Sequence, residues 1–83
     1  MYEVVLSNNA KKQLDKIDLI ITKRIIQKLY ELKSNPRPPG NKKLNNLLGY
    51  RIRIGKYRIL YEIDDSNKII TVYKISHRKE VYR

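Results

Sequence analysis

Two different spacings of apolar residues divide the chain. In the first part Ala10, Leu14 and Ile17 recur at three- and four-residue intervals, with Lys11, Lys12 and Lys16 off the stripe. That spacing predicts a short amphipathic helix, capped by Ser7, whose hydroxyl can accept a bond from a free first-turn amide. Ile21, Ile25, Leu29 and Leu32 repeat the pattern, flanked by Lys23, Arg24 and Lys28. They predict a second helix from a cap at Asp18 to about Ser34. Asn35-Pro36 ends it, because proline cannot extend a helix and restricts the residue before it. Ahead of both helices, Tyr2 to Leu6 is rich in Val and Tyr and reads as a first strand.

From Tyr50 onward the period changes to two. Tyr50-Arg51-Ile52-Arg53-Ile54 and Tyr57-Arg58-Ile59-Leu60-Tyr61 alternate on either side of Gly55-Lys56. Glycine at the first of two turn positions suits a type II′ hairpin, which pairs Ile54 with Tyr57, Arg53 with Arg58, and Ile52 with Ile59. Two guanidinium groups then face each other across a ladder. Like charges in that position destabilise a sheet, so folding alone does not account for them. An anion bound between them would.

The connecting pieces complete the outline. Arg37-Pro38-Pro39-Gly40-Asn41 is a stiff loop, and Lys42 to Gly49 is expected to pack down through Leu44, Leu47 and Leu48 with Lys42 and Lys43 in water. Asp64-Asp65-Ser66-Asn67 is a turn cluster, and the β-branched run Ile69 to Ile75 fits a last strand. The expected fold is α+β: a small, mostly antiparallel sheet with two N-terminal helices on one face, in β-α-α-β-β-β order. Ile52, Ile54, Tyr57, Ile59, Tyr61 and Ile63 should share the helix-covered face, and Arg51, Arg53, Arg58, Leu60 and Glu62 the open one. A turn centred between Asp65 and Ser66 sets Tyr73 beside Arg58 and Thr71 beside Leu60.

Composition narrows the function. Eighty-three residues make one domain, 1–83, with room for one small core. No apolar run approaches the length of about 18 residues that a bilayer span requires, and the first residues do not read as a secretory signal, so a soluble cytoplasmic protein is expected. There is no cysteine for a disulfide or thiolate metal site, and no metal or small-molecule cofactor is expected. Nineteen basic residues against eight acidic ones give a net charge of +11. Lys33, Arg37, Lys42, Lys43, Arg51, Arg53, Lys56 and Arg58 fall in one stretch, residues 32–61, that holds no acid. Such a concentration attracts polyphosphates and gains affinity by releasing their counterions, which points to nucleic acid or an acidic partner. Lys42, Lys43 and Lys56 are candidate RNA contacts, and Tyr73 is a ring on which an unpaired base can stack.

The segment Gly49 to Tyr61, the preceding Pro38-Pro39-Gly40 and Lys42-Lys43-Leu44, and the closing His77-Arg78-Lys79-Glu80-Val81-Tyr82 together resemble the RelE branch of the RelE/ParE toxin superfamily, in order and over essentially the whole chain. The resemblance implies a toxin that enters the ribosomal decoding site and cuts messenger RNA there, held in check by a RelB-like antitoxin. Arg51 and Arg53 match the family's basic pair, Arg58 its Gly-x-Tyr-Arg arginine, Arg78 the basic residue after the last strand, and Tyr82 the tyrosine of its Glu-Val-Tyr ending. Some members carry lysine where this chain has Arg51 and Arg53, which keeps the charge but replaces a proton-exchanging group with a bidentate clamp.

The implied chemistry is attack of a ribose 2′-hydroxyl on the adjacent phosphate, giving a cyclic phosphate and a free 5′-hydroxyl without a metal. Arg51, Arg53 and Arg58 would stabilise the added negative charge. Clustered guanidinium groups would lower the pKa of a nearby tyrosine, making Tyr82 the base, while the family assigns Arg78 the role of acid. His77 is the chain's one imidazole, a side-chain type suited to proton transfer near neutrality, and is a candidate to replace or assist Arg78. Two other classes fit parts of the pattern. A ParE-like inhibitor of DNA gyrase would share the fold and an antitoxin without the RNA-cleaving set, and a non-catalytic RNA-binding module would keep only the charge.

Overall fold

The computed structural model describes residues 1–44 and 49–77. Its elements are β1 (Glu3–Leu6), α1 (Asn8–Asp15), α2 (Leu19–Leu32), β2 (Lys42–Lys43), β3 (Tyr50–Ile54), β4 (Tyr57–Asp64) and β5 (Ile69–His77). They form a five-stranded sheet in the order β1-β5-β4-β3-β2. The last three strands are antiparallel neighbours, as expected, and β1 pairs with β5 in parallel. Leu47 and Leu48 of the expected packing loop lie outside the described residues.

Local chemistry sets both helix starts. The Ser7 hydroxyl accepts from the Ala10 amide at 3.1 Å, the cap that the sequence predicts. Asp18 is the N-cap of α2, but its side chain makes no capping bond. Thr22 secures that end instead, its amide donating to the Asp18 carbonyl at 2.9 Å and its hydroxyl to the Ile17 carbonyl at 3.2 Å. The helices bury Ala10, Ile25, Leu29 and Leu32 against Ile52, Ile54, Ile59, Tyr61, Ile70, Val72 and Ile75 of the sheet.

The hairpin forms in the expected register, with Ile54 opposite Tyr57, Arg53 opposite Arg58 and Ile52 opposite Ile59. Gly55 has φ +58°, as the first central position of a type II′ turn requires. Gly49 is needed for a second reason. Its φ is +90°, and a Cβ there would stand 2.0 Å from the Tyr61 carbonyl oxygen.

Three expectations need correction. The segment read as a loop after Asn41 contains β2, which pairs Lys42 with Arg51 and Lys43 with Tyr50. Two residues are too few to show a period. The β4–β5 register also differs: Ser76, not Tyr73, lies opposite Arg58, and Lys74, not Thr71, lies opposite Leu60. The turn closes with Asp64 opposite Ile69, two residues beyond the Asn67 of the expected register, and a β-bulge between Leu60 and Tyr61 adds a third by leaving Tyr73 as an extra residue on β5. The bulge has a partner across the fold, because the Tyr73 carbonyl accepts from the Ser7 hydroxyl at 3.3 Å and the Asn9 amide at 3.5 Å. An extra residue reverses the side on which later residues point, so Ile75 enters the core. Finally, the outward face of β4 is not open at its centre, since Arg58 is 2% exposed and Leu60 3%. β4 is the middle strand, and Arg51, Arg53, Lys74 and Ser76 of its neighbours flank these two positions.

Candidate functional site

Alternation along β3 and the direct pairings across the sheet bring a set of cations to one face. Arg53 faces Arg58, and Lys42 faces Arg51 one step away. Together with Gly40 they line a cleft of about 230 Å³. Among the described residues, four cationic side chains and no carboxylate form this lining. Arg58 forms the buried floor while Arg53 is exposed at the rim. Clefts lined by one sign of charge over low-dielectric walls focus the field on an incoming anion. A planar guanidinium can also grip two phosphate oxygens at once, which a lysine cannot.

The loop carrying Gly40 is pinned on the other side of the sheet edge. Arg37 donates to both carboxylate oxygens of Asp65, at 2.8 and 3.3 Å, and through Nε to the Tyr50 hydroxyl at 3.1 Å. Tyr2 adds a hydroxyl bond to Asp65 at 2.5 Å. These bonds, the Arg37 bond first, hold the Asp65 carboxyl down to a pKa of about 2, and the same contact with Asp65 raises Arg37. The buried Tyr61 hydroxyl donates to the Pro36 carbonyl at 2.8 Å, and burial pushes its phenol up. Residues 36–41 therefore leave a fixed anchor and turn around the sheet edge into the cleft.

The other expected site residues are distributed as follows. Lys43 is exposed at the edge and Lys56 at the hairpin tip, and neither lines the cleft. Tyr73 stands on the bulge away from Arg58, partly buried, where desolvation and then the nearby Glu62 charge raise its phenol pKa. His77 is on the helix-covered face. It pairs with Tyr57, meets that ring edge-on at a centroid distance of 5.3 Å, and lines a separate cleft with Gln13, Lys16 and Ile17. The bulge accounts for this, because it turns β5 over before His77 is reached. Arg78 and Tyr82 lie outside the described residues. Sequence reading missed Gly40 as a lining residue and Ser76, 1% exposed, as the cross-strand neighbour of Arg58. The Pro-Pro-Gly loop was a visible signal for Gly40, but only the Lys42–Arg51 pairing brings it to the arginines.

Among the described residues no group of three or more His, Cys, Asp or Glu side chains could hold a metal ion. No described helix is long and apolar enough to cross a membrane.

Comparison with known families agrees with this architecture. Residues 4–82 match the family described as the ParE toxin of type II toxin–antitoxin systems, parDE. The chain belongs to that toxin family. Within it, this type II toxin is 29% identical to Toxin RelG of Mycobacterium tuberculosis over 99% of its own length and 97% of the relative's. It is 30% identical to Putative toxin RelE1 of Methanocaldococcus jannaschii, over 99% and 96%. The toxin fold superposes on the RelBE2 toxin–antitoxin complex of Mycobacterium tuberculosis with a TM-score of 0.81 at 28% identity, covering 93% of this chain and 98% of that one. The isolated E. coli RelE toxin gives 0.81 at 26%, covering 99% and 92%. These similarities put the toxin on the RelE branch.

Proposed function

We propose that this type II toxin is a metal-independent endoribonuclease that cleaves messenger RNA in the ribosomal decoding site and so stops translation. The observation that carries the reading is the cleft in which Arg53 faces the buried Arg58, with Arg51 and Lys42 beside them and no acid among its described lining residues. In the proposed step the 2′-hydroxyl oxygen attacks phosphorus as it loses its proton. The phosphorus–5′-oxygen bond breaks, leaving a 2′,3′-cyclic phosphate, and the departing oxygen takes up a proton. Between these events the phosphorane carries an added negative charge. Arg58, Arg53 and Arg51 stabilise it, Arg58 most strongly because its surroundings exclude water. Tyr82 is the proposed base, and family resemblance assigns proton delivery to Arg78. His77, on the far face, is left out of this step.

Because it has a large positive charge and exposes Leu19, Ile26 and Tyr30 along one side of α2, the toxin suits a partner with acidic and apolar side chains. A RelB-like antitoxin, as in the related RelE–RelB complexes, is the proposed neutraliser, and the cytoplasm the proposed site of action. Purified toxin added to translating ribosomes, followed by mapping of message ends, tests the activity. Breaks confined to ribosome-occupied codons, lost in an Arg58→Ala, Tyr82→Phe double variant that no longer arrests growth, are expected. Intact message with broken DNA would favour a gyrase-directed toxin, and full toxicity of the double variant would mean that the arginine face is not the active one.

A further inference from the structure

We infer that the cleft around Tyr57 and His77 is a second nucleotide site, occupied by the RNA strand after it leaves the arginine cleft and passes over the hairpin tip. The inference rests on the ribonuclease reading. Tyr57 and His77 pair on adjacent strands, and their rings meet edge-to-face at 87°. Gln13, Lys16, Ile17 and Ile75 complete a cleft of about 330 Å³, which is within the range of small-molecule sites. Its chemistry is that of a single-strand nucleotide site: aromatic rings for a base, aliphatic side chains beneath, an amide and a cation. Gln13 is held in place because its Oε1 accepts from the Ile75 amide at 2.6 Å, so its amide nitrogen remains the group to donate to a base. Lys16 caps the end of α1, its backbone N–H bonded to the Gln13 carbonyl, which brings an ammonium to the cleft wall.

The route between the two clefts is short and basic. Tyr57 and Arg58 are consecutive residues pointing to opposite faces, so the clefts lie back to back across the sheet at the end where Gly55-Lys56 turns. Lys56 is exposed at that tip. On the helix side the Arg24 guanidinium lies against the turn, 3.8 Å from where a Cβ on Gly55 would stand. A strand leaving Arg53 therefore meets Lys56, Arg24 and Lys16 in succession, with a stacking site at the end. Backbone cations that neutralise phosphates and a ring that takes a base are the two components of sequence-tolerant single-strand binding.

The test uses the full-length toxin and uncleavable 2′-O-methyl RNA of two lengths, a trinucleotide and an octanucleotide, each carrying a photoreactive 4-thiouridine at its end. With crosslinks mapped to the residue, the octanucleotide should crosslink at Tyr57 or His77, and the trinucleotide only at the arginine cleft. In a Lys16→Ala, Arg24→Ala variant the octanucleotide's salt slope should fall by about 1.4, two phosphate contacts at about 0.7 each for a single strand. Crosslinks confined to the arginine cleft for both lengths, or a salt slope equal to that of the unaltered toxin, would overturn the second site while leaving the ribonuclease reading intact. Failure of both RNAs to bind the unaltered toxin would overturn the two together.

Discussion

Replacing Arg53 with Gln removes one of the two facing guanidinium groups while keeping a long polar side chain at the rim of the cleft. Cross-strand Cβ atoms are about 5 Å apart, and the charged ends of such side chains can spread to about 7 Å. At an effective dielectric constant of about 20, two unit charges at that separation repel by about 2 kcal/mol. Arg53 is exposed, so solvent and side-chain motion reduce this, and a gain of about 1 kcal/mol in stability is expected at low salt. For a domain of this size that corresponds to a rise of about 4–8 °C in melting temperature. Thermal unfolding followed by circular dichroism measures it. Two further signatures separate charge relief from better packing. The gain should shrink as salt rises, since the Debye length falls from about 10 Å at 0.1 M to about 3 Å at 1 M. Added inorganic phosphate should also stabilise the unaltered protein more than the variant, because an anion relieves a repulsion that the variant lacks. A melting temperature that falls on substitution, or a gain unaffected by salt, would refute the argument that this pair is maintained against the stability of the fold.

Asp65→Asn should remove an acid-sensitive contribution. Asp65 is held to about 2 in the folded state, below the usual carboxylate value of about 3.9, so its contribution is complete above about pH 4 and is lost as pH falls toward 2. Melting temperatures across pH 2 to 6 should converge for variant and unaltered protein at the acid end, and parallel curves would refute the assignment. Gly49→Ala should cost about 3 kcal/mol or more in urea unfolding, because it combines a positive φ with a methyl group driven into the Tyr61 carbonyl; a loss below 1 kcal/mol would show that the strand end gives way easily. Tyr61→Phe deletes the bond to the Pro36 carbonyl and should cost about 1 kcal/mol. It should also loosen residues 36–41, detectable as faster amide exchange at Asn41, whose N–H bonds the Pro38 carbonyl.

What could be read in advance was local. The turn at Gly55-Lys56 fixes its own register over five residue pairs, so the opposition of Arg53 and Arg58 followed from the sequence between Tyr50 and Tyr61. The helical stripes were legible for the same reason, each being a repeat within one segment. The register of β5 depends on partners far away in the chain. Its bulge at Tyr73 is held by Ser7 and Asn9, more than sixty residues earlier, and no pattern within Ile69–His77 announces that Lys74 and Ser76 will flank the arginine face while Ile75 and His77 turn inward. His77 lies on the helix-covered face on that account. Arg37 and Asp65 carry no shared motif, and their contact appears only when the Pro-rich loop and the β4–β5 turn meet at one end of the sheet. Gly40 reaches the cleft through the pairing of a two-residue strand that periodicity cannot detect.

The short strand β2 has a consequence for self-association. Joining copies side by side into an open-ended ribbon takes two receptive borders per molecule, one to offer and one to accept. On one flank the border is Lys42–Lys43, exposed, two residues long and charged at both positions, and a second copy bringing the same flank would meet four ammonium groups. Of the two edges of the described sheet, the β1 flank is the longer and the less charged, so pairing between copies through it would build a closed couple.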